Sequence, residues 1–126
     1  MQPNRILIVD DQIGIRMMLE EVFTQAEYEI EIAENGLEAI QKAEDFRPRL
    51  ALLDMKLPGM DGIDIMIELK KKLPDITVFM MTAYGELELI EHAKKLGVEK
   101  YFTKPFDIDE VLLEVDSFFN TSGSID

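Results

Sequence analysis

Two short runs constrain this chain more than anything else in it. Ile6-Leu7-Ile8-Val9 and Leu50-Ala51-Leu52-Leu53 are wholly apolar, and each ends on acid, Asp10-Asp11 after the first and Asp54 after the second. Such runs are too brief for a buried helix, and without polar–apolar alternation they read as strands covered on both faces. Strands of that kind need helices above and below them, so amphipathic segments have to lie between them. Helix-forming stretches at 13–26, 37–46, 63–72, 86–96 and 108–119 indeed alternate with strand-forming ones at 6–9, 29–33, 50–53, 76–81 and 101–103. Asn35-Gly36 reads as a turn, Pro48 and Pro74 follow the ends of two helices, and Gly97 stops a third. Glu29-Ile30-Glu31-Ile32-Ala33 alternates, as a less buried strand would.

Five strand–helix pairs predict an α/β fold: a doubly wound five-stranded parallel sheet in the order 2-1-3-4-5, flavodoxin-like, with helices on both faces. A single domain over residues 1–119 is expected, with 120–126 as a flexible tail and no separate output domain. The chain is 47% hydrophobic, enough for a sizeable core. Its 26 Asp+Glu against 13 Lys+Arg leave a net charge of -13, which speaks against nucleic acid as a partner and favours binding of cations. The absence of cysteine removes disulfides, thiolate chemistry and Cys-ligated zinc. The opening Met1-Gln2-Pro3-Asn4-Arg5 leads into neither a signal peptide nor a membrane span, so a cytoplasmic protein with no membrane partner is expected.

In a sheet of this order, ligands bind beyond the carboxyl ends of the strands, where strands 1 and 3 diverge. The residues at those ends are Asp10 and Asp11, Asp54, Thr82 and Lys104. Three neighbouring carboxylates repel one another, and a hard divalent cation, Mg²⁺ or Mn²⁺, resolves that conflict while ordering phosphoryl oxygens. Lys104 adds a cation and Thr82 a hydroxyl donor. Acids, metal, hydroxyl and lysine together suit an aspartate that attacks a phosphoryl group and becomes an acyl phosphate. Each piece alone is weak, since an acid closing a strand can cap a helix and Lys-Pro can be a plain turn. His92 reads as a solvated surface residue, and the eight methionines as fillers of core gaps. The weight comes from four strand ends supplying the right residue type in order.

Those residues resemble a known family. Ile6-Leu7-Ile8-Val9-Asp10-Asp11, Leu52-Leu53-Asp54-Met55-Lys56-Leu57-Pro58-Gly59-Met60-Asp61-Gly62, Met81-Thr82-Ala83 and Lys104-Pro105-Phe106 look like the receiver domain of two-component response regulators, over about residues 5–119. The resemblance implies that Asp54 is the phosphoacceptor and that Asp10, Asp11 and the Lys56 backbone carbonyl help it hold Mg²⁺. It implies that Thr82 and Lys104 contact the phosphoryl group, that Tyr101 is an aromatic switch, and that the Lys104-Pro105 bond is cis. A finer likeness, carried by residues 11–16, 81–87 and 104–110, is to single-domain receivers of phosphorelays such as that of sporulation. It implies a monomer that takes phosphoryl from a sensor histidine kinase and hands it to a histidine phosphotransferase built on a helical bundle, with an aspartyl-phosphate phosphatase as a further partner. Such a protein phosphorylates itself and turns over no small molecule.

Two other readings compete with the relay. One is a stand-alone receiver that signals by binding a target protein. The other is a phosphohydrolase on a related sheet, which needs an acid where Gln12 stands and a cap domain to exclude water. At 100° per residue the apolar side chains of the first helix surround it, so part of them is expected to face out. Gln12, Gly14, Ile15, Met18, Pro105 and Phe106 are then expected to form a docking collar round Asp54, with Tyr84 and Leu87 beside it. Lys56 and Tyr84 would also shield the phosphoryl group from water.

Overall fold

The computed structural model describes residues 4–83 and 87–123, with Leu87 and 121–123 described as backbone. Five parallel strands, β1 (Arg5–Val9), β2 (Glu29–Ala33), β3 (Leu50–Asp54), β4 (Thr77–Thr82) and β5 (Lys100–Thr103), form one sheet in the order β2-β1-β3-β4-β5. The helices α1 (Ile13–Gln25), α2 (Gly36–Phe46), α3 (Gly62–Lys72), α4 (Leu87–Lys95) and α5 (Ile108–Gly123) follow the strands in turn.

The order puts the apolar runs in the middle, where burial stabilises them most. β3 is buried throughout, whereas β2, with its alternating glutamates, and β5 take the edges. Side chains on a strand alternate between faces, so each central strand feeds two cores. Ile6, Ile8 and Leu52 pack with Leu19 and Phe23 of α1 and with Val111, Val115 and Phe119 of α5. Leu7, Val9 and Leu53 pack on the other face with Ala39 and Ala43 of α2, Ile65, Met66 and Leu69 of α3, and Ile90 and Ala93 of α4.

The elements differ from the sequence reading at their ends. Asn35-Gly36 starts α2 and is no free turn: the Asn35 side chain accepts a hydrogen bond from the Glu38 N–H at 2.9 Å, capping the helix. α5 continues past 119 to Gly123, so the first four residues of the expected tail, 120–123, are helical. No proline stands there to stop the helix. β4 starts at Thr77, leaving Ile76 in the loop, and Glu86, the expected start of α4, lies outside the described residues. Four methionines, Met55, Met66, Met80 and Met81, are core residues, but Met17 and Met18 are exposed and fill nothing. Among the described residues, no helix is long and apolar enough to cross a membrane.

Candidate functional site

Asp10, Asp11, Asp54, Thr82 and Lys104 all fall at the carboxyl end of the sheet, as the strand order requires. Asp10 and Asp54 stand at the ends of adjacent strands, and Asp11 follows in the β1–α1 loop. Carboxylate oxygens of Asp10, Asp11 and Asp54 lie within 4.8 Å of one another. Their environments differ sharply. Asp10 is fully buried, Asp54 is 8% exposed, and Asp11 faces solvent. Asp54 is enclosed because the β3–α3 loop folds back on the end of β3. Gly62 N donates to Met55 O at 2.7 Å, and a Cβ on Gly62 would stand 2.7 Å from the Asp54 carbonyl oxygen. Only glycine permits that approach.

Lys104 reaches across from the β5–α5 loop. Its Nζ donates to Asp10 Oδ2 at 2.7 Å, Asp54 Oδ2 at 3.1 Å and Gln12 Oε1 at 3.2 Å. Its own N–H donates to the Thr82 carbonyl at 2.6 Å, tying the lysine to the end of β4, and the Lys104-Pro105 bond is cis, as the motif implied. Thr82 is 1% exposed. Around the acids, Asp10 Oδ1 accepts from the Gln12 N–H at 2.8 Å and Asp54 Oδ1 from the Lys56 N–H at 3.4 Å.

The charges do not balance. Three carboxylates against one ammonium leave a formal excess of two negative charges. Burial pushes the Asp54 carboxyl above its ordinary range and the Asp10 charge adds to this; the Lys104 ammonium and the Lys56 N–H pull it down without cancelling the rise. For Lys104, burial works against the charge, but its hydrogen bonds and attraction to Asp10 and Asp54 outweigh that and raise it further. One lysine is shared by two buried acids, so it is strongly held while Asp54 is left short of positive charge. An oxygen-rich cluster short of two positive charges has the donor set a hard divalent cation prefers. The residues present therefore fit such an ion.

The other candidates lie round this cluster. Gln12, Gly14, Met18 and Pro105 are exposed, whereas Ile15 and Phe106 are half-buried and pack partly on the core under α1 and α5. The outward surplus of apolar surface on α1 falls mainly on Ile13 and Met17, 65% and 61% exposed, which the collar did not include. Tyr84 lies outside the described residues, and Leu87 opens α4. Tyr101 is 37% exposed at the edge strand, with Lys94 Nζ 4.9 Å from its ring centroid. His92 is exposed. Arg16, which carries no signal in the sequence beyond a cation near a helix start, donates from Nη1 to the Asp10 carbonyl at 2.7 Å.

Residues 6–116 match the response regulator receiver domain, and the chain belongs to that family. It is 52% identical over 111 residues to the sporulation initiation phosphotransferase F of Bacillus subtilis (strain 168), a likeness covering 88% of this chain and 90% of that protein. The chemotaxis protein CheY of Listeria monocytogenes is 35% identical over 109 residues, covering 86% of this chain and 92% of that one. A CheY-like receiver domain protein from Methanospirillum hungatei JF-1 superimposes with a TM-score of 0.89 at 31% identity, over 95% of this chain and 96% of that one. The family and the finer likeness read from the motifs are both borne out, and the finer likeness favours the relay protein over the chemotaxis type.

Proposed function

We propose that this chain is a phosphorelay shuttle: it takes a phosphoryl group onto Asp54 from a sensor histidine kinase and passes it to a histidine phosphotransferase. The observation that supports this best is a nearly buried Asp54 carboxylate, 3.1 Å from the Lys104 ammonium and clustered with Asp10 and Asp11, in a chain so similar to a sporulation phosphotransferase. In uptake, an Asp54 carboxylate oxygen attacks the phosphorus of a phosphohistidine. The N–P bond breaks, its electron pair returns to the imidazole nitrogen, and an acyl phosphate forms. Lys104, already held beside Asp54, exchanges carboxylate for phosphoryl oxygens, and the Thr82 hydroxyl offers a neutral donor from the next strand. Transfer onward is the same displacement, with the acceptor's imidazole as nucleophile.

Asp10, Asp11, Asp54 and the Lys56 carbonyl are the groups that would hold Mg²⁺, or Mn²⁺ in its place. When bound, the ion would offset the excess negative charge of the acids and help to order the oxygens of the transferred group. Gln12, Gly14, Ile15, Met18, Pro105 and Phe106 form the docking collar for the helical bundles of both histidine partners, joined by Tyr84 and Leu87. Tyr101 acts as the switch residue at the sheet edge. An aspartyl-phosphate phosphatase drains the relay, and the protein works as a cytoplasmic monomer in sporulation. The test is radiolabel transfer from a histidine kinase, followed by addition of a histidine phosphotransferase. Label that moves on supports the shuttle; label that stays, with phosphorylation-dependent capture of a target instead, replaces it with a signalling receiver.

A further inference from the structure

Arg16 lies in the first turns of α1, yet its side chain is only 12% exposed. Two contacts hold the guanidinium. Nη2 lies 3.9 Å from a Glu34 carboxylate that is itself 61% exposed, a pairing of little worth. Nη1 donates to the Asp10 carbonyl at 2.7 Å, a short charge-assisted bond that dominates. That carbonyl belongs to the peptide unit joining Asp10 to Asp11. The unit is planar, so fixing its oxygen also fixes the Asp11 N–H and the direction in which Asp11 leaves the chain.

The two acids depend on that clamp unequally. Asp10 is also fixed elsewhere: its N–H donates to Ala33 O at 3.1 Å, and its carboxylate is held by Gln12 N and Lys104 Nζ. The Asp11 carboxylate is exposed and has no hydrogen bond or ion pair among the described residues. Its place near Asp10 and Asp54 is therefore set by its backbone. We infer that Arg16 is a positioning residue for the cation site: through the Asp10 carbonyl it sets the plane of the 10–11 peptide, and with it where the Asp11 carboxylate meets those of Asp10 and Asp54. This rests on the acidic cluster being a divalent-cation site.

The test uses the full chain carrying Arg16→Met or Arg16→Lys, with Mg²⁺ affinity read from calorimetric titration and from the rise in unfolding temperature with Mg²⁺. Arg16→Met is expected to weaken Mg²⁺ binding about tenfold, the scale seen when a group orienting a metal ligand is lost. Arg16→Lys, which keeps a charged donor of similar reach, stays within about threefold of the parent. Labelling by acetyl phosphate should need more Mg²⁺ for half-maximal rate in Arg16→Met while its maximal rate stays near the parent's. A Mg²⁺ affinity for Arg16→Met within twofold of the parent overturns the inference. So does an equal loss in Glu34→Gln, which would put the effect in the ion pair instead of the carbonyl. Should Arg16→Met fail to fold, the same affinity readout on Arg16→Gln, whose shorter arm stops short of the carbonyl, decides the matter. If the parent itself binds no Mg²⁺, the cation-site reading falls, and the role of Arg16 falls with it.

Discussion

The central strands end in opposite ways. At their amino ends the charged groups are spread out and solvated. Arg5 Nε lies 3.4 Å from Glu29 Oε1, with Arg5 half-buried and Glu29 exposed, and the Arg5 guanidinium lies over the Phe46 ring. Arg49 donates to Asn4 Oδ1 at 3.2 Å and stacks over Phe118 and Phe119. At their carboxyl ends, three acids cluster together, and one lysine pairs with the two that are buried, Asp10 and Asp54. The same apolar strands support both ends, so the strands do not dictate the crowding. A fold selected for stability alone would spread those acids too. Their concentration is a cost carried for chemistry, and it shows in Asp54 being held above its ordinary range.

The largest break in this contrast is Lys104→Met. It leaves Asp10 and Asp54 buried with no cation, and losing one partner of a buried pair costs about 3 kcal/mol or more. In urea unfolding without divalent cations, the midpoint should fall steeply, and Mg²⁺ should restore part of the loss by binding the folded state. A loss under about 1 kcal/mol, the range of solvated pairs, would mean the two ends do not differ.

Next comes Asp54→Asn, which removes the most strained charge and keeps a group able to meet Lys104. Uptake of label from acetyl phosphate should vanish, while stability without Mg²⁺ matches or exceeds the parent by about 1 kcal/mol. A clear loss of stability would show that the ionised Asp54 supports the fold instead of burdening it.

The pH dependence sharpens the same point. Because the folded-state value of Asp54 is raised, the native protein takes up this proton at higher pH than the unfolded chain does. The stabilising contribution is therefore fully present below the unfolded-chain value of 3.8, and it is lost as pH rises through the folded-state value. The stability advantage of Asp54→Asn over the parent should shrink on acidification through that window. An advantage that grows on acidification, measured without divalent cations, would contradict the raised value.

How far these contrasts could be read from the sequence depends on the range of the interaction. The unbroken runs at Ile6–Val9 and Leu50–Leu53 are local signals with one solution, so strand order and the strand-end residues Asp10, Asp54, Thr82 and Lys104 were legible. The enclosure of Asp54 was not, because it depends on a loop returning at Gly62. Nor was Arg16, whose target is a backbone carbonyl and leaves no side-chain pattern to find. Ile13 and Met17 belong to the apolar set that surrounds α1, but which of that set face outward is decided by how the helix rolls onto Leu19 and Phe23. The helix start at Asn35-Gly36 was hidden because the same pair of residues also makes turns.

The smallest effect belongs to the amino end. Glu29→Gln removes the partner of Arg5 but leaves its hydrogen bond to Phe46 O at 3.1 Å and its ring contact in place. With side chains 31% and 54% exposed, the pair is screened and its loss should cost no more than about 0.5 kcal/mol. The difference should disappear in about 1 M salt, where the screening length drops to about 3 Å. It should not respond to Mg²⁺, because Glu29 sits at the start of β2 and the acidic cluster lies beyond the opposite end of β1. A loss well above 1 kcal/mol, or one that Mg²⁺ repairs, would show that the two ends of the sheet are coupled and that charge at the amino end helps to hold the acids in place.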